Sequence, residues 1–248
     1  MDQAERSMAA KSPWIIAFGV VLALHLLCRG LELDPYQTIT KILLAPLLAL
    51  WAWQLEGPRL LIVGLVFCFF GDLFMDLDPR WFIAGMAAFA LAHICFISLF
   101  IKRGAIDAFQ GSFAGPFTER WRGLLVLLYV VGAIVFVIWA WPGFPAEVRP
   151  AVPVYALLLT GTATTSVVLD TRAGVGAALF VVSDALIAVG WDQYEVAATW
   201  QRVTVMVLYA LGIFLITAGV LNRERRTKRI AADGFDITQR TDCWPRLP

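Results

Sequence analysis

Residues 59–77 read RLLIVGLVFCFFGDLFMDL, and this stretch decides the class of fold. A helix that crosses the hydrocarbon core of a bilayer needs about 20 mostly apolar residues. Water is absent from that core, so a backbone that satisfies its own hydrogen bonds as a helix is the default. The ten-residue segment VFCFFGDLFM (66–75) within this stretch contains a single carboxyl group, Asp72. The stretch therefore predicts a membrane-spanning helix that carries a buried aspartate.

The composition of the whole chain agrees with this interpretation. Of the 248 residues, 60% are hydrophobic and only 16% are charged, and the mean hydropathy is +0.74. A soluble domain needs more polar residues to cover its surface. The net charge is only +1, whereas a nucleic-acid-binding protein usually has a clear excess of basic residues, so we expect no nucleic acid partner. The four cysteines form no C-x-x-C pair and lie scattered, so we predict neither a disulfide framework nor a metal site, and no cofactor.

Eight segments approach the length of a membrane span. They lie at about residues 13–30, 37–55, 59–77, 81–101, 121–141, 150–169, 174–191 and 200–221. The alternating pattern of a membrane β-barrel is absent. We therefore predict an all-α polytopic protein with eight transmembrane helices. Its predicted parts are an N-terminal tail at 1–12, the membrane domain at 13–221 and a basic C-terminal tail at 222–248, with a glycine-rich loop at 104–120.

The positions of arginine and lysine predict the orientation, because cytoplasmic loops carry an excess of both. With the N-terminus inside, thirteen of these residues lie on the cytoplasmic side: Arg6, Lys11, Arg59, Lys102, Arg103, Arg120, Arg122, Arg172, Arg223, Arg225, Arg226, Lys228 and Arg229. Four lie outside: Arg29, Arg80, Arg149 and Arg202. Both termini are predicted to be cytoplasmic. The first span, which has no convincing cleavage site, is expected to be retained. A bacterial cytoplasmic (inner) membrane fits these features.

Five polar side chains on five predicted helices converge at similar depths. At about 1.5 Å per residue, Asp72 lies about 20 Å and Asp184 about 18 Å from the cytoplasmic face. Lys41 and Tyr155 lie at a compatible height in the outer half, and His93 lies slightly deeper. A charge at the bilayer centre costs about 2.5–3.5 kcal/mol, so such groups face the bundle interior and usually serve a function. The five residues are therefore predicted to form one buried site.

Each of these residues also has a simpler interpretation, except the two aspartates, which lie too deep to reach water easily. Lys41 could extend to the interface, Tyr155 could belong to an aromatic belt, and His93 could be a packing residue. Two further polar residues are given lesser roles. Asp76 is expected in a solvated outer mouth, and His25 is expected to pack within the first helix.

Several motifs together resemble the YhhN-like family of integral membrane proteins, which includes the lysoplasmalogenases. These are GDLF (71–74), FIAGMAAFALAHICFISLF (82–100) and GAALFVVSDALIA (176–188), joined by TKILLAP (40–46) and PVYALLL (153–159). The resemblance runs from about residue 38 to 216, although Asp76 stands where an apolar residue is usual. It implies hydrolysis of the vinyl ether bond of a lysoplasmalogen, a lysophospholipid substrate, to a fatty aldehyde and a glycerophospho-head group.

The predicted site residues suit that reaction. A vinyl ether breaks down after protonation of its double bond, which creates an oxocarbenium ion to which water adds. Two carboxyl groups in different environments can divide the work of acid and cation stabiliser. We predict that Asp72 and Asp184 take these roles, without assigning which takes which. Lys41 is predicted to balance charge or bind the substrate phosphate, and His93 and Tyr155 to orient a carboxyl group or relay a proton.

Other classes of protein share some of these features. A zinc hydrolase usually has three protein ligands, often histidines, and the two histidines here have no motif spacing. A serine hydrolase would be expected to carry G-x-S-x-G, which the chain lacks. A proton-coupled transporter also places carboxylates, a lysine and a histidine within the membrane. Transport and non-catalytic lipid binding therefore remain the alternatives, and the head group, chain length and oligomeric state are left open.

Overall fold

The computed structural model describes residues 12–114, 117–189 and 199–241, which form nine α-helices and no strands. The helices are α1 (Pro13–Gly30), α2 (Tyr36–Gln54), α3 (Arg59–Leu77), α4 (Phe82–Lys102), α5 (Ala105–Ala114), α6 (Phe117–Ala140), α7 (Ala151–Leu169), α8 (Thr171–Val189) and α9 (Thr199–Thr241). Short 3₁₀ turns at Pro79–Trp81 and Trp141–Gly143 precede α4 and follow α6. The all-α prediction is confirmed. Residues 1–11, the end of the predicted seventh span at 190–191 and residues 242–248 lie outside the described residues.

Seven of the described helices are long and apolar enough to cross a membrane: α1, α3, α4, α6, α7, α8 and α9. The remaining predicted span, at 37–55, corresponds to α2, which has 19 residues but is less apolar. Its first two turns contain Gln37, Thr38, Thr40 and Lys41, and these polar residues lower its mean hydropathy. The described chain thus supports seven spans of the eight predicted, and the orientation of the termini stays a prediction.

The region predicted as a loop at 104–120 is largely helical, so that expectation was wrong. Gly104 adopts φ of +90° and ends α4, which is the usual use of a glycine after a helix C-terminus. The ten-residue α5 follows at once. Its one internal glycine, Gly111, does not interrupt the helix, because a single glycine lowers helix stability by only about 1 kcal/mol.

The last helix, α9, is 43 residues long and continues twenty residues beyond the predicted end of its span at 221. The basic stretch after residue 221 has no proline, and its arginines and glutamate are good helix formers. Contacts hold its first turns in place. Arg223 Nη1 donates to the carbonyl oxygen of Leu169 at 3.0 Å, and Arg103 Nη2 lies 2.9 Å from Glu224 Oε1. The predicted basic tail therefore begins as a continuation of the membrane helix.

The helices α8 and α9 cross at close range. A Cβ atom added at Gly176 would lie 2.7 Å from the carbonyl oxygen of Gly212, and one added at Gly212 would lie 2.9 Å from the carbonyl oxygen of Gly176. Small residues at a crossing allow two membrane helices to approach closely. This crossing holds α8, which carries the predicted site residue Asp184, close against α9.

The bundle has two distinct ends. We call the end that contains the connections 31–35, 78–81 and 141–150 the cavity end, and the opposite end, with the connections 55–58 and 103–104, the far end. The charge distribution predicts that the far end is cytoplasmic. A continuous apolar core lies between them, and its largest fully buried side chains include Phe96, Phe180, Leu44 and Leu48.

Candidate active site

A cavity of about 360 Å³ opens at the cavity end, and every helix except α5 contributes to its wall. Four of the five predicted site residues line it together: Lys41, Asp72, Tyr155 and Asp184. The rest of the wall is mostly apolar, with a broad face from α6 and α7 that includes Leu128, Gly132, Phe136 and Leu159. The cavity therefore combines a small polar group of side chains with room for an apolar chain.

Asp72 lies near the end of α3 and is only 2% exposed. The hydroxyl of Tyr209, on α9, donates a hydrogen bond to its Oδ2 atom at 2.6 Å. The ammonium group of Lys41, on α2, lies 3.9 Å from its Oδ1 atom. Tyr209 was not among the predicted site residues. Its position deep in an apolar span was the available signal, because a buried tyrosine hydroxyl usually has a hydrogen-bond partner.

Asp184, on α8, is partly exposed to the cavity. The hydroxyl of Tyr155, on α7, donates to its Oδ2 atom at 2.5 Å. The neighbouring Ser183 donates through Oγ to the carbonyl oxygen of Val205 at 3.0 Å, which ties this part of α8 to α9. Each of the two predicted carboxyl groups thus accepts a hydrogen bond from one tyrosine of another helix.

Lys41 is held between two carboxyl groups of α3. Its ammonium nitrogen lies 2.6 Å from Asp76 Oδ1, closer than to Asp72. Asp72 and Asp76 are four residues apart and so share a face of their helix. Asp76, which the sequence placed in a solvated mouth, is 21% exposed and belongs to this group. Lys41 therefore lies inside the bundle and does not extend to the interface.

His93 is fully buried and does not line the cavity. Its Nδ1 atom lies 3.0 Å from Thr162 Oγ1, and its ring centroid lies 5.9 Å from that of Tyr155 and 4.9 Å from that of Phe180. Among the described contacts it bonds to neither aspartate. His25, by contrast, packs between α1 and α2, with Nδ1 3.0 Å from the carbonyl oxygen of Gln37.

The rings of Phe89, His93 and Phe180 form a layer beneath the two aspartates, which we call the aromatic floor. Phe180 packs against Tyr209 with ring centroids 5.4 Å apart, and Phe89 packs against Tyr209 at 5.9 Å. With the contact between His93 and Tyr155, the floor touches both tyrosines that bond to the carboxyl groups. These packed rings hold the two hydroxyl groups in fixed positions.

Two arginines that were predicted only as charges of the outer loops also line the cavity. They are Arg29, in the last turn of α1, and Arg202, in the first turn of α9. Arg29 Nη1 donates to Gln37 Oε1 at 2.9 Å, and Arg202 Nη2 donates to Glu32 Oε1 at 3.0 Å. In the part of the chain that the structure describes, no cluster of three histidine, cysteine or acidic side chains is arranged to hold a metal ion.

Taken together, these groups can donate a proton, balance a developing positive charge and accommodate a long apolar chain beside charged groups.

The chain matches the model of the YhhN family over residues 36–220. It is 27% identical over 229 residues to proteins named lysoplasmalogenase from Mycobacterium bovis and Mycobacterium tuberculosis, with 83% of this chain and 82% of each relative covered. No solved structure gives a significant match. The chain is therefore a helical membrane protein that belongs to the YhhN family.

Proposed function

We propose that this protein hydrolyses the vinyl ether bond of lysoplasmalogens to a fatty aldehyde and a glycerophospho-head group. One observation carries the proposal: Asp72 and Asp184, from different helices, line one largely apolar cavity, and each accepts a hydrogen bond from a tyrosine. The two mycobacterial relatives named lysoplasmalogenase support the substrate class. An apolar cavity within a membrane bundle suits a substrate that is itself a membrane lipid.

The surroundings of the two carboxyl groups support a division of their roles. Asp72 has the ammonium group of Lys41 3.9 Å away, which compensates a negative charge on the carboxylate. Asp184 has a neutral partner, Tyr155, and no cation within ion-pair distance among the described residues. We therefore assign the protonated acid to Asp184 and the charged carboxylate to Asp72. Because Tyr155 occupies Oδ2 of Asp184, its Oδ1 atom is the one left to carry the proton.

The reaction begins when Asp184 gives its proton to the double-bond carbon that is remote from the ether oxygen. The electron pair of the double bond forms the new C–H bond, and the positive charge is shared by the other carbon and the ether oxygen. The Asp72 carboxylate stabilises this oxocarbenium ion, as the second carboxylate does in glycosidases. Both carboxyl groups thus act on the same cation.

Water completes the reaction. It adds to the cationic carbon and passes a proton to Asp72, which yields a hemiacetal. The hemiacetal then collapses: its hydroxyl proton leaves, the bond from carbon to the ether oxygen breaks, and that oxygen takes up a proton. The products are the aldehyde and the glycerol hydroxyl of the head group. One water is consumed, and transfer of the surplus proton from Asp72 restores the acid form of Asp184.

The other predicted site residues act through these two groups. Tyr155 fixes the orientation of Asp184, and His93 supports the ring of Tyr155 from the aromatic floor. Lys41 supplies one positive charge that partly offsets the negative charges of Asp72 and Asp76. The fatty chain lies along the apolar wall of α6 and α7. If the charge distribution sets the orientation, the cavity opens on the outer side of a bacterial cytoplasmic membrane.

Aldehyde release from lysoplasmenylethanolamine and lysoplasmenylcholine by the purified full-length protein tests the proposal. We expect release by the wild type and a loss of about 10²–10⁴-fold in Asp184→Asn, the range that general acid catalysis usually contributes. Asp72→Asn should also lose most of the activity. The saturated 1-O-alkyl analogue should not react, because it has no double bond to protonate.

Each variant needs a check that it is folded, by gel filtration and thermal unfolding in the same detergent. Asp78→Asn, at an exposed position after α3 and outside the cavity, serves as a matched carboxamide control and should keep wild-type activity. A folded wild-type protein that releases no aldehyde from either substrate would contradict the proposal. Full activity in Asp72→Asn or Asp184→Asn would contradict the mechanism.

A further inference from the structure

Two guanidinium groups at the cavity end share one feature. The Nε atoms of Arg29 and Arg202 are both buried, and neither has a hydrogen-bond partner among the described residues. Both side chains line the cavity. A buried donor that bonds to nothing is costly, more so when the group is charged. The described residues therefore leave both guanidinium groups incompletely hydrogen-bonded.

The charges around these arginines indicate what kind of ligand the cavity would bind. The one described hydrogen-bond partner of Arg29 is the neutral amide oxygen of Gln37. Arg202 is paired with Glu32, whose side chain is 62% exposed to the surroundings. Lys41, the other cation of the cavity wall, lies 2.6 Å from Asp76. Arg29 thus brings a positive charge to the cavity that no carboxylate within ion-pair distance compensates in the described part of the chain.

The spacing along α9 relates Arg202 to the carboxyl groups. Arg202 precedes Tyr209 by seven residues, so the two lie on the same face of the helix and about 10 Å apart along its axis. Tyr209 bonds to Asp72. A glycerol backbone and the reach of an arginine side chain together cover such a distance. A lipid with its ether oxygen at the carboxyl groups would therefore present its phosphate near Arg202, in the cavity that Arg29 also lines.

We propose that Arg29 and Arg202 bind the phosphate group of the lysophospholipid, with Arg29 as the principal ligand. The identity of this lipid rests on the proposed function, whereas phosphate binding does not require hydrolysis. Planar guanidinium groups bind phosphate oxygens with two parallel hydrogen bonds, which suits this role better than the ammonium group of Lys41. Lys41 then serves charge balance alone. Arg29 lies outside residues 36–220, the range that the family model matches.

A pair of substrates that differ in the phosphoethanolamine group tests this subsite. The kcat/KM for lysoplasmenylethanolamine is divided by that for 1-alkenylglycerol, which has the same vinyl ether but no phosphate. We expect Arg29→Gln to lower this preference at least 10-fold, through a higher KM for the phospholipid, and Arg29→Lys to restore part of it. Arg202→Gln should have the same effect, though smaller because Glu32 already compensates its charge.

Arg80→Gln is the matched control, because Arg80 lies at the same end of the bundle but is 88% exposed and outside the cavity. It should leave the preference unchanged. The proposal is overturned if Arg29→Gln keeps the wild-type preference, or if it lowers kcat/KM for both substrates by the same factor. The second outcome would mean that Arg29 serves the structure of the site and not the recognition of phosphate.

A binding experiment separates failure of this inference from failure of the proposed function. The probes are a 1-O-alkyl-lysophosphocholine, which carries the phosphate but cannot be cleaved, and a 1-O-alkylglycerol. Their affinities for the full-length protein are measured by tryptophan fluorescence. If no vinyl ether is hydrolysed but Arg29→Gln weakens only the phosphate-bearing probe 10-fold or more, the function is wrong and the subsite stands. If aldehyde is released but both probes bind equally to wild type and variant, the subsite is wrong and the function stands.

Discussion

The hydroxyl group of Tyr209 donates to Asp72 Oδ2 at 2.6 Å, although the two residues are 137 positions apart in the chain. This bond joins α9 to α3 deep within the bundle and gives a buried carboxyl group one of the partners that it needs. Because the aromatic floor packs against the same tyrosine ring, the bond also fixes the carboxyl group relative to α8.

Tyr209→Phe tests the contribution of this hydrogen bond. The change leaves Oδ2 of a buried aspartate without its donor, so we expect a loss of about 1–3 kcal/mol in the free energy of unfolding. Aldehyde release should fall as well, because Asp72 is no longer held in one orientation. Thermal unfolding in detergent and the aldehyde assay measure the two effects. Tyr36→Phe is the control, since Tyr36 is exposed at the start of α2 and its loss should change neither quantity.

The ion pair between Lys41 and Asp76 predicts a coupling between two substitutions. Lys41→Met leaves the charges of Asp72 and Asp76 without their cation, and we expect it to destabilise the protein by about 3 kcal/mol, near the lower range for breaking a buried pair. The double variant Lys41→Met/Asp76→Leu should be more stable than Lys41→Met alone. A double-mutant cycle of unfolding free energies measures this coupling. Strict additivity of the two single changes would show that the pair contributes nothing.

The crossing of α8 and α9 predicts a strong effect from one added methyl group. In Gly212→Ala the new Cβ atom would meet the backbone carbonyl oxygen of Gly176 at 2.9 Å, so the two helices must move apart. We expect a loss of about 1–3 kcal/mol, as for other overpacked contacts. Gly19→Ala, at an α1 position where the added atom meets nothing within 4 Å, should be neutral or slightly stabilising. Equal melting temperatures for Gly212→Ala and the wild type would contradict this view of the crossing.

The position of Gly132 predicts that this residue influences which fatty chain lengths the protein accepts. It lies on the cavity wall of α6, and a Cβ atom added there meets nothing within 4 Å. In Gly132→Leu the side chain fills part of the space along which we place the fatty chain. The ratio of kcat/KM for long-chain to short-chain lysoplasmalogens should therefore fall at least 10-fold. Gly19→Leu adds the same side chain in open space outside the cavity, and it should leave the ratio at its wild-type value.

Much of this arrangement follows from the sequence because burying charge in a membrane is costly. Asp72 and Asp184 stood out in apolar runs for that reason, and both line the cavity. Lys41 was ambiguous, because a long side chain near a helix end can extend either towards water or into the bundle. The direction it takes depends on Asp76, which lies on another helix. Only the packing of α2 against α3 decides between the two.

The tyrosines and arginines illustrate the same limit. A tyrosine in an apolar span can serve an interfacial belt or a buried hydrogen bond, and Tyr209 is distinguished only by its contact with Asp72. Arg29 could equally be a loop charge or a cavity residue, because its position at a helix end does not reveal which way the guanidinium group points. The helix α5 and the last part of α9 were not predicted to be helical, because neither segment has the high hydropathy by which the membrane spans were identified.

The core beneath the aromatic floor also has a consequence for the movement of protons across the membrane. Beneath it the core is apolar, with Leu61, Leu65 and Ile213 fully buried. The hydroxyl groups of Ser166 and Thr217 at that depth bond to carbonyl oxygens of their own helices. Among the described residues, no relay of carboxylates or histidines continues from the floor to the far end. A proton that enters the cavity can thus take part in acid chemistry and return to the same side. We therefore expect the proposed acid chemistry to leave the membrane potential intact.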